Sequence, residues 1–507
     1  MHRNFIISTR NLFVVLGLAA IPTTIFLRYL WSLSLGNGDE LFFSTGAGRF
    51  EVSEGSPSQW ADFFSWLWWK HTGRTADWLS GSVYFFGAKD GRWIISILTV
   101  LSATTITWCL HRLSTIYYHS KSASIYWVAP VSLLTLLFSY SCTSLYPLAN
   151  LTMYSAAVCN YLVPSALICS VLTFGLIAQR TAALYGAAVI GSIAATMHEQ
   201  AAATLAVLAV LFVIIGSSKW PILHRFGCAT IIFSGVIEMF LAPGLHSKLA
   251  RFSTSSPEIP ISMPNKLITT FYAFGVYFPF LGAVISTIIA LYLICFIRLS
   301  QKRFWSIALL GLLSVSFATW VLSLLFFALK HSTGSQTIIG LSCMAMMAVW
   351  LVTPLLSHSK PIRFGTLIFL CAASSLAIPA AAGLGAIRVF NYPVIFFLIF
   401  QIWTAYIIVG NPSELFGHGG TATRHFSKKW LLPVVYLLMS AWVMGWSLIA
   451  LQENYVPGVT NLEIQDASCL QENCPAADPN LPHPSAMSGY GEHDYANTDA
   501  VLEWLEK

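Results

Sequence analysis

The chain has 507 residues, of which 56% are apolar and only 9% charged, against roughly 25% charged residues in an average soluble protein. That composition excludes a soluble multidomain protein. Its net charge of +6 is dispersed in short basic clusters beside apolar runs rather than gathered in a stripe, so a nucleic-acid partner is excluded as well.

The basic start, Met1 to Arg10, leads into an apolar run over Leu12–Ser34. This run is longer than a signal-peptide core and has no Ala-x-Ala-like end, so it reads as an uncleaved first span. A polar and aromatic loop, Gly36–Arg92, precedes the second span, Trp93–Leu110. Further spans follow at Ile125–Leu145, Tyr161–Ala178, Ala182–Met197, Ala201–Ile215, Gly227–Leu241, Leu267–Ile297 and Phe304–Leu329. The last four are Ile338–Leu356, Phe364–Leu384, Pro393–Gly410 and Trp430–Leu451. Each is close to the roughly 20 residues that cross a bilayer core. The expected fold class is therefore all-α: a polytopic transmembrane domain of about 13 spans over 1–451, with interfacial helices in its first extracytoplasmic loop (36–92).

A small polar tail, 452–507, closes the chain. Asn497–Lys507 has the spacing of a short amphipathic helix, and Cys469 and Cys474 lie close enough in sequence for a disulfide. The other eight cysteines sit in or beside apolar segments, as small hydrophobes do.

Orientation follows from lysine and arginine in short loops. With a cytoplasmic N-terminus, alternate turns hold Arg112 and Lys121, Arg180, Lys219 and Arg225, Arg298 to Arg303, Lys360 and Arg363, and Arg424 to Lys429. The tail is then extracytoplasmic. The parity depends on His198-Glu199-Gln200, which interrupts the run from Ala182 to Ile215. We read the triplet as the tip of a tight hairpin on the outer face, since one long helix would bury it at mid-membrane and turn later basic clusters outward.

The outer face collects the chemistry-bearing residues. Directly after the first span come Asp39 and Glu40, anions placed to take a proton from a hydroxyl near a hydrophobic substrate's headgroup. A tryptophan-rich stretch, including Trp60, Trp66, Trp68, Trp69 and Trp78, suits headgroup depth. Arg74, in His71-Thr72-Gly73-Arg74, offers a planar fork for phosphate, and Asp77 is in sequence reach to orient it. Asn160 and Tyr161, with Pro164, open a span from the outer side; His198, Glu199 and Gln200 put a titratable ring, an anion and an amide at one turn. After Glu238 and Ala242-Pro243-Gly244, Lys248 and Arg251 add two cations suited to a phosphate. No G-x-x-x-x-G-K-[ST] loop and no H-E-x-x-H occurs, which argues against a nucleotide-driven enzyme and against a zincin.

The order of these motifs resembles a group of bacterial multi-span proteins similar to the serotype-conversion glucosyltransferases and, more broadly, the GT-C superfamily. The resemblance runs by motif from Leu12 to Arg251 and by hydropathy beyond. It implies a glycosyltransferase of the bacterial cytoplasmic membrane that takes a sugar from a polyprenyl-phosphate carrier on the extracytoplasmic face, with a glycan or lipid acceptor and membrane lipid as partners. It implies Asp39, or Glu40, as the base. Arg74, Asn160, Tyr161, Glu199, Gln200 and Arg251 match its other positions, and Asp77, His198 and Lys248 join them as substrate- or phosphate-binding candidates. Asp-Glu stands where Asp-Asp is commoner, and Leu-His follows Ala-Pro-Gly in place of the expected Asn. No cofactor is demanded, though the scheme accommodates a divalent metal. A polymerase or ligase using lipid-diphosphate glycans is the alternative enzyme; a flippase would be marked by inverted repeats, and no convincing repeat is present.

Overall fold

The computed structural model describes Ile21, Thr24, Ser65 and residues 67–87, 91–118, 158–215, 219–246, 263–277, 303–329, 333–352, 360–382 and 390–410. The first span apart from Ile21 and Thr24, together with Asp39, Glu40, Lys248, Arg251, Ile125–Leu145, Trp430–Leu451, Cys469, Cys474 and the tail helix, lies outside the described residues. The described residues are helical almost throughout, with no strand among them. A π-helical turn, Leu67–His71, precedes α1 (Thr75–Gly87) and α2 (Gly91–Tyr118). A second, Val158–Leu162, leads into α3 (Val163–Ile177). Then come α4 (Thr181–Met197), α5 (Glu199–Ile215), α6 (Ile222–Leu241) and α7 (Met263–Tyr277). The rest are α8 (Arg303–Leu329), α9 (Thr333–Val352), α10 (Lys360–Ala382) and α11 (Asn391–Gly410).

Four stretches, Trp93–Tyr117, Val158–Ile177, Ile222–Leu241 and Phe304–Leu325, are long and apolar enough to cross a membrane. Their side chains are distributed as a lipid solvent requires. On α2, Trp93, Ile94, Ile97 and Leu101 are exposed while Ser96, Thr99 and Thr107 are buried; on α8, Phe304 and Val315 are 75% and 65% exposed. So much apolar surface would drive a protein in water to associate. Some buried hydroxyls are satisfied by their own helix, as where Thr99 donates to the Ile95 carbonyl (2.8 Å) and Thr204 to that of Gln200 (2.8 Å). The six described cysteines, among them Cys169 and Cys371, are buried.

The chain divides into two compact units. The first draws its described residues from Met1–Thr105 and Leu137–Pro257, and therefore contains α1, the start of α2, and α3 to α6. Here α6 packs on both α4 and α5. Tyr185 Oη meets His224 Nδ1 (3.2 Å) near the starts of α4 and α6, and Ser192 Oγ meets Ser234 Oγ (3.2 Å) further along both, so these helices run parallel. Arg225, near the start of α6, donates to the Val213 carbonyl near the end of α5 (3.4 Å), so α5 runs antiparallel to α6. The chain therefore folds back at His198, whose extended backbone (φ −160°, ψ 146°) ends α4. One end of the unit holds Arg180, Lys219 and Arg225. There Lys219 Nζ donates to the Ala178 carbonyl (2.6 Å) and Gln179 Oε1 (3.0 Å) beyond the end of α3. The His198 turn lies at the opposite end.

The second unit draws on Ile106–Leu136 and Glu258–Trp442. Within it α9 packs on α7 and α8, and α10 on α7 and α11. α11 is its centre: every residue from Asn391 to Phe400 is buried. The sequence places the end of the second span at Leu110, before His111 and Arg112. The helix instead continues to Tyr118 because His111 is buried with its ring edge-on to Tyr406 (5.9 Å), and Tyr117 packs against Trp403 (6.1 Å).

Candidate functional site

The end of the first unit that carries the His198 turn gathers seven of the eleven residues singled out in the sequence; the other four, Asp39, Glu40, Lys248 and Arg251, lie outside the described residues. It is built from one loop, two helix starts and one π-helical turn. The loop follows Leu67–His71, where the amides of Thr72 and Gly73 both reach the Leu67 carbonyl (3.3 and 3.0 Å). Gly73 adopts φ +71°, a conformation that L side chains resist. A Cβ there would come within 2.5 Å of Ala242 Cβ, and one on Gly244 within 2.8 Å of the Trp68 carbonyl oxygen. The Gly-Arg and Ala-Pro-Gly motifs are thus one backbone-to-backbone contact, and it aims Arg74.

Arg74 donates from Nε (3.0 Å) and Nη2 (2.7 Å) to Glu199 Oε1, 125 residues away. The sequence nominates Asp77 as its orienting partner. Asp77 supports Arg74 through its charge, and near the start of α1 its Oδ2 accepts from Thr72 Oγ1 and its Oδ1 from Asn160 Nδ2 (3.2 Å). The position also suits a carboxylate electrostatically, because a helix N-terminus carries partial positive charge. Thr72 Oγ1 in turn accepts the Arg74 amide N–H (3.3 Å).

The other side closes through the hairpin. The His198 carbonyl accepts the Ala202 N–H (2.9 Å), and its Nδ1 accepts the Gln200 N–H (3.2 Å), so His198 caps α5 with its own ring. Glu199 Oε2 lies 3.5 Å from the same Nδ1, and the ring packs on Tyr161 (4.9 Å between centroids), the neighbour of Asn160. Arg74, Glu199, His198, Tyr161, Asn160, Asp77 and Thr72 therefore form a closed circuit. Thr75 Oγ1 and Thr196 Oγ1 (2.9 Å) brace it by tying α1 to α4.

Glu199 is 7% exposed. Burial by itself would raise its pKa, but Arg74 first and His198 second overcome that and hold it down to about 2. For Arg74, burial favours the neutral form, and the surrounding Glu199, Asp77 and Tyr161 reverse the balance, so it stays a cation. The circuit thus presents a fixed cation, two anchored acids and a buried amide: equipment for holding an anion and hydroxyl groups. Among the described residues no three His, Cys, Asp or Glu side chains converge as a metal site. Glu238 lies exposed near the end of α6.

Thr72, Thr75 and Thr196 were not singled out in the sequence. Isolated threonines in apolar helices and loops carry no distinguishing spacing, and only the fold shows them as links. No family model, curated protein or solved structure matches the chain.

Proposed function

We propose that the protein is a GT-C-like glycosyltransferase of the bacterial cytoplasmic membrane, with about 13 spans, a cytoplasmic N-terminus and an extracytoplasmic tail. It transfers a sugar from a polyprenyl-phosphate carrier to a glycan or lipid acceptor on the outer face. One observation carries this reading: four motifs scattered from Gly73 to Gly244 meet at the end of the first unit opposite Arg180, Lys219 and Arg225. Basic loops favour the cytoplasm, so that meeting point is extracytoplasmic.

The chemistry asks little of such a site. The carrier's bond from sugar C1 to the phosphate oxygen breaks with its electron pair leaving on phosphate, while the acceptor hydroxyl oxygen bonds to C1. The hydroxyl proton passes to a carboxylate, which we assign to Asp39 or Glu40. Arg74 steadies the departing phosphate with a planar pair of N–H donors. Lys248 and Arg251 are proposed to add positive charge there.

The test is transfer of labelled sugar from polyprenyl phosphate in proteoliposomes containing the wild type, Asp39→Asn, Glu40→Gln or the double variant. We expect one single variant and the double variant to lose transfer at normal expression and insertion. Transfer retained in all three would remove the carboxylate base and with it the main support for this function. Net movement of the carrier without glycosylation would mark a flippase instead.

A further inference from the structure

The circuit contains one group that the phosphate chemistry leaves unused. Asn160 sits in the π-helical turn before α3 and is 5% exposed. Its Nδ2 donates to Asp77 Oδ1 (3.2 Å). Since Asp77 Oδ1 faces it as an acceptor, the NH2 end must point that way and the amide has no freedom to flip. Asp77 is itself held by Thr72, whose oxygen also accepts the Arg74 N–H. The remaining end, Asn160 Oδ1, is buried and has no hydrogen-bond partner among the described residues. A buried acceptor held in one orientation without a partner is costly, and native structures keep few of them. This one sits in the circuit that includes the cation.

We propose that Asn160 Oδ1 accepts a hydroxyl of the transferred sugar and so makes Asn160 a specificity-determining residue. The inference rests on the glycosyltransferase reading and sharpens it. An ionised phosphate carries only acceptors, so it cannot satisfy another acceptor; a sugar hydroxyl can. Arg74 and Asn160 therefore divide the donor between them, the first taking the phosphate and the second the sugar. The same division favours turnover. Once the sugar has left, the spent lipid phosphate retains the Arg74 contact and loses the Asn160 contact, so product is held less tightly than donor.

The experiment compares binding of dodecyl phosphate with that of dodecyl glucosyl, galactosyl and mannosyl phosphates to the full-length protein in nanodiscs. The wild type is expected to prefer at least one glycosyl phosphate over dodecyl phosphate by about tenfold, the scale of one hydrogen bond. Asn160→Ala and Asn160→Ser should abolish that preference, weakening glycosyl phosphate binding by about tenfold more than dodecyl phosphate binding. A series of monodeoxy analogues on the wild type needs no variant to fold: removal of one particular hydroxyl should cost the same factor. A preference that survives in both variants, or equal weakening of both ligand types, overturns the role of Asn160 and leaves the glycosyltransferase reading standing. Failure of the wild type to bind any of these phosphates overturns both.

Discussion

Replacing Glu199 with Gln tests the central contact of the site. The Glu199 carboxylate is held down to about 2 from an ordinary 4.5, and at about 1.4 kcal/mol per pH unit that depression corresponds to about 3 kcal/mol of stability. An independent expectation agrees: removing one partner of a buried ion pair costs about 3–5 kcal/mol. Gln keeps an acceptor for Arg74, so the low end applies. Because the folded pKa is depressed, the contribution is complete above the ordinary value and is lost as pH falls through about 2. Wild type and Glu199→Gln should therefore differ by about 3 kcal/mol at pH 7 and by about 1 kcal/mol near pH 3. The assay is unfolding of both purified proteins in one detergent across that range, reading the gap between them rather than either absolute value. Equal stability at neutral pH, or a gap that does not narrow on acidification, would refute the ion-pair assignment.

Arg74→Lys keeps the charge but cannot place two N–H donors in one plane, so sugar transfer should fall by about tenfold or more; full activity at normal expression would reduce Arg74 to a lipid contact. Gly73→Ala should destabilise the protein by about 2–4 kcal/mol, combining the left-handed backbone with overpacking against Ala242. Ala242→Gly in that background should restore only part of the loss in a thermal unfolding assay, since it relieves the clash and not the backbone. Reporter fusions after Arg180, Gln200 and Lys507 should read inside, outside and outside; an inside signal at Lys507 would overturn the odd number of spans.

Much of the helical framework was legible because a membrane-facing chain shows its helices as unbroken apolar runs, and Thr181–Met197 differs from its expected range by one residue at the start. The site residues were legible for the complementary reason. His198, Glu199 and Gln200 stand out against apolar neighbours, and burying them without partners would be prohibitively costly. The pairing was not legible. Asp77 lies three residues from Arg74 and its charge does act there, yet the carboxylate that hydrogen-bonds Arg74 arrives with a different helix. Helix ends at polar residues were likewise misjudged, as at His111, where an aromatic neighbour far along the chain makes burial of the imidazole tolerable.

The two π-helical turns, Leu67–His71 and Val158–Leu162, govern how this site tolerates change. Such a turn holds one residue more than an α-helical turn, and each residue added to or removed from a helix rotates the chain beyond it by about 100°. Loss of a single residue from either segment would tighten the turn and swing Arg74 or Asn160 off its bearing. Substitution at the positions of these turns that carry no site group, such as Val158 or Leu162, would leave that bearing alone. The site is thus specified partly by a count of residues, and indels there should prove far more damaging than most exchanges of one amino acid for another.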